Sequence, residues 1–268
     1  MAKCSRKTSE RTITRRLREG RGQGRGATYK PWLTVQDVPS QGLSHRIKGW
    51  TTQRVHHLFS NLERDAFYLL DWAEVVVDIR EQYPLLPLQE TEGIAEQMGV
   101  RHPEDPRTGH SVVMTTDFLV DVQGTGGIIQ QAHTVKPAEM LDNPRTLEKL
   151  EIERRYWQSR DVDWGIVTEY EIPTPQTHNV RLLHGYQQID DRLPAEVDVS
   201  EVVRFLLDNS HARLIAELAQ YGDHVLNLAS GTTLTVLYHL LATRRMAFNL
   251  SEPLAEQMLL PSFGEVSA

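Results

Sequence analysis

The segment 111–137 constrains the fold of this chain more than any other. SVVMTTDFLVDV, residues 111–122, and IIQQAHTVKP, residues 128–137, are rich in β-branched side chains, which favour strands. The sequence GTGG, residues 124–127, separates the two runs and is typical of a tight turn. The sequence therefore predicts an antiparallel hairpin, around which the rest of the domain has to be built.

Helix and strand patterns alternate on both sides of this hairpin. The predicted elements are a helix over 55–72, a strand over 75–79 ended by Pro84 and Pro87, a helix from Asn143 to about Arg160 and a strand over 163–172. Strands interleaved with helices in this order predict a mixed α/β domain.

The chain divides into three predicted parts. Residues 1–30 form a basic arm, residues 31–172 the α/β domain and residues 173–268 a small C-terminal domain. The two prolines of IPTPQT, residues 172–177, predict a linker. Three helical patterns followed by an alternating stretch over 246–250 predict a winged-helix-like module in the last part.

The basic arm carries a charge that the rest of the chain opposes. Residues 1–30 have a net charge of +8, residues 31–172 have −10, and the whole chain has −7. The repeated glycines of the arm predict a flexible segment. The arginines of the arm can follow a phosphate backbone. The alternative is a solvated tail without a ligand. The candidate DNA-binding residues are Arg15, Arg16, Arg18, Arg21 and Arg25.

Composition excludes several classes of protein. The chain has no run of 18 apolar residues, so it contains no transmembrane helix signal. Its N-terminus has no apolar segment of the secretory type. Cys4 is the only cysteine, which excludes a disulfide framework and a cysteine-based zinc site. A reducing, cytoplasmic setting is expected.

The hairpin carries charged side chains where a core strand should not have them. If its two strands pair as predicted, Asp117 and Lys136 lie near one edge of the sheet. A carboxylate beside an ammonium, with a second carboxylate from a helix, is typical of a metal-dependent nuclease, because carboxylate oxygens bind hard cations such as Mg²⁺. A structural salt bridge at a sheet edge is the alternative.

Glu63 has a structural interpretation of its own. Ser60-x-x-Glu63 fits a capping box, in which the glutamate only satisfies a backbone N–H at the start of a helix. Asp121 and Glu153 are further acids near the predicted site, and their positions predict a sheet-edge charge and a helix-surface charge.

Seven blocks of the sequence make the chain similar to a known family. They are GRGQG at 20–24, PWLTVQDVP at 31–39, RVHHLFSNLE at 54–63, DIREQYPLLP at 78–87, TDFLVD at 116–121, VKP at 135–137 and RTLEKLEIERRYW at 145–157. With them the chain resembles the TnsA family, the endonuclease subunits of heteromeric cut-and-paste transposases. The resemblance covers most of residues 12–170 and is weak beyond residue 175.

The resemblance implies a restriction-endonuclease-like mixed sheet flanked by helices. It also implies that Glu63, Asp117 and Lys136 are catalytic, with Mg²⁺, or Mn²⁺ in its place, held by the two carboxylates and the Val135 carbonyl. The family often has glutamine where this chain has Thr134, whose shorter hydroxyl is expected to support a metal-associated water.

The resemblance further implies cleavage at the 5′ ends of a transposon. The implied partners are transposon-end DNA, a TnsB-like transposase that cuts the 3′ ends and a TnsC-like ATPase regulator that contacts the C-terminal domain. Two other functions stay open at this point: a stand-alone restriction or repair nuclease, and a non-catalytic adaptor between transposase and regulator.

Overall fold

The computed structural model describes residues 9–37, 43–209 and 214–255. The chain folds into two compact units, Met1–Ile172 and Pro173–Ala268. No helix of the described residues is long and apolar enough to cross a membrane.

The first unit is built on a central mixed sheet flanked by helices. Its elements are α1 (Glu10–Arg18), β1 (His45–Lys48), β2 (Val55–Leu58), α2 (Asn61–Trp72), β3 (Val76–Pro84), α3 (Leu88–Met98), β4 (Thr115–Gly124), β5 (Gly127–Val135), α4 (Pro144–Gln158) and β6 (Asp163–Val167). The sheet order is β3-β4-β5-β6, and β1 pairs with β2 in a separate sheet. The predicted α/β architecture is confirmed.

The hairpin predicted from the sequence is the centre of this sheet. β4 and β5 pair antiparallel from Phe118 opposite His133 to Gly124 opposite Gly127. β3 adds antiparallel to β4, and β6 adds parallel to β5. This register places Asp117 and Val135 together at the end of the hairpin far from the turn, which is where the candidate site forms.

Helix α4 covers the hairpin through an apolar cluster. Leu119 of β4 and Ala132 of β5 pack with Tyr156 and Trp157 of α4 and with Leu85. The helix begins at Pro144, and the Asn143 side chain accepts hydrogen bonds from the first turn, as Asn-Pro predicts. Burial of this cluster holds α4 against the strands that carry the site.

The helix predicted over 55–72 is wrong in its first part. Residues Val55–Leu58 form strand β2, and the helix begins only at Asn61, after the Ser60 N-cap. His56 and Leu58 are buried, whereas Val55 is exposed. This alternation has the period of a strand, and it was obscured because Leu58 also continues the apolar spacing of the helix.

The prediction of a flexible arm is wrong for residues 9–30, and residues 1–8 lie outside the described part. Residues Glu10–Arg18 form a helix with Ser9 as its N-cap. Asp37 accepts a hydrogen bond from Arg21 at 2.6 Å and forms an ion pair with Arg16 at 3.6 Å. The guanidinium of Arg16 also lies 5.5 Å from the ring centre of Trp32.

The glycines of the arm form turns instead of giving flexibility. Gly20, Gly22 and Gly24 have φ angles of 72°, 79° and 91°, which only glycine adopts readily. A Cβ on Gly22 would lie 2.3 Å from Cγ of Pro84. Glycine at position 22 therefore allows the arm to pack against the end of β3.

The second unit is mainly helical in its described residues. It contains α5 (Thr174–Leu183), α6 (Val199–Asn209), α7 (Ile215–Val225) and α8 (Thr232–Ala242). The strand predicted over 246–250 is wrong, because these residues form no strand. The winged-helix-like arrangement of this unit stays a prediction. The predicted linker is partly wrong, because α5 begins at Thr174 and has a proline in its first turn, a position that suits proline.

Candidate active site

Asp117 and Lys136 lie in contact at the end of the hairpin. Lys136 Nζ donates to Asp117 Oδ2 at 2.8 Å, and the Val135 amide donates to the same oxygen at 2.8 Å. Asp117 is buried, and the Lys136 side chain is 33% exposed. The predicted juxtaposition is present, and this ion pair alone fits both the catalytic and the structural interpretation.

The lysine is surrounded by carboxylates. Burial would lower the pKa of Lys136, but Asp117, and also Glu153 and Glu63, raise it above its ordinary value. The ammonium is therefore charged at neutral pH. A cation held at this position is suited to stabilise negative charge on a phosphate.

Glu63 belongs to the same cluster and also caps helix α2. Its Oε2 accepts a hydrogen bond from the Phe59 amide at 2.9 Å, and its own amide donates to Ser60 Oγ at 3.0 Å. Burial, and then the charge of Asp117, raise the pKa of Glu63 to about 8. Glu63 therefore caps α2 and also interacts electrostatically with Asp117.

The two roles of Glu63 can be separated by mutation. Glutamine also serves in a capping box, so Glu63→Gln is expected to keep the cap of α2, and with it most of the stability, while abolishing cleavage. Ser60→Ala is expected to lose about 1 kcal/mol of stability, the usual cost of removing an N-cap, and to keep cleaving. Urea unfolding and a cleavage assay on both variants test this. Equal loss of stability and activity in both would contradict it.

The donor set fits a hard divalent cation. Glu63, Asp117 and the Val135 carbonyl offer only oxygen, the ligand type that Mg²⁺ prefers. A cation would also offset the repulsion between the two carboxylates. Within the described residues, no three His, Cys, Asp or Glu side chains form a group able to hold a metal. Two carboxylates suit Mg²⁺, which usually keeps several waters or phosphate oxygens as ligands.

Thr134 has a different partner from the one expected. Its buried hydroxyl donates to Glu153 Oε1, so it is directed at a carboxylate of α4. Thr116 Oγ1 donates to the same oxygen at 2.7 Å, and Trp164 Nε1 does so at 3.1 Å. Glu153 therefore joins β4, β5 and β6 immediately beside the catalytic candidates.

The prediction that Glu153 is a helix-surface charge is wrong. The residue is 4% exposed and, although its hydrogen bonds oppose the effect, burial raises its pKa above the ordinary range. A signal for this position was present in the sequence, because Leu150, Glu153 and Trp157 follow the spacing of one helix face. All three are buried residues of α4.

The prediction that Asp121 is a sheet-edge charge is also wrong. It is 1% exposed and accepts hydrogen bonds from Arg80 and, at 2.9 Å, from Gln130. Arg25 of the arm lies 3.4 Å away. Asp121 is thus part of a buried charge network four residues from Asp117.

The five arginines proposed to bind DNA fall into two groups. Arg16 and Arg21 pair with Asp37 and hold the arm together. Arg15, Arg18 and Arg25 are exposed, although Arg15 and Arg25 also lie near Glu19 and Asp121. Only the second group presents cations to the surface.

Known proteins match this chain over nearly its whole length. Residues 73–169 match the model for the TnsA-like endonuclease N terminal, which includes Asp117 and Lys136. Residues 171–250 match the model for the TnsA endonuclease C terminal. The transposon Tn7 transposition protein TnsA of Escherichia coli is 43% identical over 250 residues, which cover 93% of this chain and 90% of that protein. The chain belongs to the TnsA family.

Membership of the TnsA family confirms the resemblance seen in the sequence. The chain is an endonuclease subunit of a transposase that acts in a Tn7-type transposition complex on DNA. The boundary between the two matched models, at residues 169–171, lies next to the boundary between the two units at 172–173. Glu63 lies before the first matched family model, which begins at residue 73. The match to TnsA of Tn7 is longer and spans 250 residues.

Proposed function

We propose that this TnsA-family chain is a Mg²⁺-dependent endodeoxyribonuclease that cuts at the 5′ ends of a transposon. The observation that carries the proposal is the contact between Lys136 and Asp117 at the end of the hairpin, where the charge of Asp117 also acts on the buried Glu63. Mn²⁺ is expected to substitute for Mg²⁺, since both accept oxygen ligands.

The proposed chemistry divides among these residues. Mg²⁺, when bound, would activate water and stabilise charge on the scissile phosphate. Glu63, Asp117 and the Val135 carbonyl would hold it. Lys136 would place its ammonium against the negative charge that develops on the phosphate. Glu153 would fix the strand ends through Thr116 and Thr134.

The charge of the chain supports a need for partners. Residues 31–172 carry a net charge of −10, which repels a duplex within a Debye length of about 8 Å. We therefore propose that a TnsB-like transposase, which cuts the 3′ ends, delivers transposon-end DNA to this subunit. The C-terminal unit would contact a TnsC-like ATPase regulator, and the complex would act in the bacterial cytoplasm.

The proposal is tested by cleavage of transposon-end DNA in Mg²⁺, with the chain alone and with its cognate transposase. Cuts at the 5′ ends that require the transposase support it. Cutting by the chain alone would favour a stand-alone nuclease. Complex formation without any cutting would favour an adaptor, for which the replacement of the family glutamine by Thr134 is the one feature in favour.

The arm offers a second test of DNA binding. Replacing Arg15, Arg18 and Arg25 with alanine is expected to reduce the slope of log affinity against log salt by about 2 to 3, since each phosphate that the protein neutralises adds about one to that slope. Replacing Arg16 alone should lower stability without that change of slope, because Arg16 faces Asp37. Binding titrations of transposon-end DNA at several salt concentrations measure both. An unchanged slope in the triple variant would exclude the arm from the interface.

A further inference from the structure

Gln82 lies beside the candidate active site and has no role in the function proposed above. It lies in β3 between the pairs Glu81–Phe118 and Tyr83–Thr116. It is 3% exposed and faces Asp117, with Nε2 at 3.4 Å from Oδ1. Its own Oε1 accepts a hydrogen bond from Thr115 Oγ1 at 3.2 Å. Both ends of the amide are therefore committed, which fixes the direction in which Nε2 points.

The two oxygens of Asp117 have unequal partners. Oδ2 accepts two hydrogen bonds of 2.8 Å, from the Val135 amide and from Lys136. Within the part of the chain that the structure describes, Oδ1 has only the long contact with Gln82. Oδ1 is thus the oxygen with lone pairs to offer a cation, and the Gln82 amide determines where it lies.

The backbone at Gln82 is held in a conformation that a glutamine rarely adopts. Its φ is +48°, in the left-handed region that non-glycine residues rarely adopt. The Gln82 carbonyl accepts a hydrogen bond from the Trp32 amide at 3.2 Å, so the segment that follows the arm holds the backbone at this position of β3. Strain of this kind is concentrated at functional sites.

We propose that Gln82 is a positioning residue that orients Asp117 Oδ1 for the divalent cation, an inference that rests on the proposed metal-dependent function. Groups that hydrogen-bond to a ligating carboxylate usually contribute about 10- to 100-fold to metal affinity. The hydroxyl of Thr134 is committed to Glu153. Gln82 is therefore the side-chain amide that this chain places on its catalytic aspartate.

The test compares Gln82→Met with a matched control. Methionine has nearly the shape of glutamine and the same cost at positive φ, but it donates no hydrogen bond. Gln130→Met removes an equivalent amide from Asp121, a buried aspartate of the same strand that lies outside the site. Gln82→Gly removes the amide and relieves the backbone strain, so it keeps the test valid if the methionine variant does not fold.

Binding of Mn²⁺ to the full chain without DNA, followed by electron paramagnetic resonance, measures the effect apart from activity. We expect Gln82→Met and Gln82→Gly to weaken Mn²⁺ binding by about 10- to 100-fold, and Gln130→Met to bind as the wild type does. Equal affinity in the wild type and both Gln82 variants would overturn the inference and leave the proposed function intact. If the wild type shows no Mn²⁺ binding that depends on Asp117, both the inference and the proposed function are overturned.

Discussion

Asp117→Asn is expected to reduce DNA cleavage by about 10³-fold. The substitution removes the carboxylate that would hold the metal and the partner of Lys136. The loss corresponds to about 4 kcal/mol of transition-state stabilisation, the scale of metal-assisted charge stabilisation. Single-turnover cleavage of transposon-end DNA in the reconstituted complex measures it.

The same substitution should leave the fold intact. Asparagine keeps an oxygen that can accept from the Val135 amide, and it removes the negative charge that adds to the effect of burial on the pKa of Glu63. We expect a melting temperature within a few degrees of the wild type and normal assembly with the transposase. Asp163→Asn, an exposed position on β6, is the control and should cleave normally. Normal cleavage by Asp117→Asn would refute the assignment of the site.

Glu81→Gln is expected to lower the free energy of unfolding by about 3–5 kcal/mol, the cost of breaking a buried ion pair. Glu81 is fully buried and accepts hydrogen bonds from two nitrogens of Arg54, from His56 Nδ1 at 2.8 Å and from the His57 amide at 3.1 Å. Without its charge, the buried guanidinium of Arg54 has no counter-charge among the described residues. Urea unfolding at pH 7 tests this.

The acid side of the stability profile gives a second readout for Glu81. Burial would raise the pKa of Glu81, but His56 and Arg54 lower it to about 2. Because an unfolded glutamate titrates near about 4.3, this stabilisation is complete above that pH and is lost as the pH falls towards 2. Glu81→Gln should lack this part of the acid dependence.

Glu151 provides the matched control for this prediction. The hydrogen bond from Arg154, supported by the one from Arg155, outweighs desolvation and lowers its pKa to about 2 as well, but its side chain is 32% exposed. Exposed pairs contribute less than about 1 kcal/mol, so Glu151→Gln should be nearly as stable as the wild type. Equal destabilisation by the two substitutions would show that burial does not set the effect.

The sequence predicts best what local patterns determine. The β4–β5 hairpin follows from two β-branched runs around a glycine turn, and the start of α4 follows from Asn143-Pro144. Once the hairpin is known, the contact between Asp117 and Lys136 follows from its register. Glu63 joins them only because α2 packs against the sheet, and its candidacy came from the family resemblance.

The predictions are wrong where contacts between residues far apart in the sequence determine the structure. The arm is ordered because Asp37 neutralises Arg16 and Arg21, and because Gly22 fits against Pro84, and neither interaction leaves a local signal. The sequence around Glu153 is typical of a surface acid. Its side chain is nevertheless buried, and it accepts hydrogen bonds from hydroxyl and indole donors of three strands. These partners are far apart in the chain, so composition and periodicity alone do not reveal them.

The most direct test of the proposed function maps the cuts by strand. Transposon-end DNA labelled on either strand is incubated in Mg²⁺ with the transposase and either the wild-type chain or Asp117→Asn. We predict that Asp117→Asn removes the 5′-end cuts while the 3′-end cuts remain. Persistence of the 5′-end cuts, or loss of both sets with an assembled complex, would contradict the proposal that this site cuts the 5′ ends.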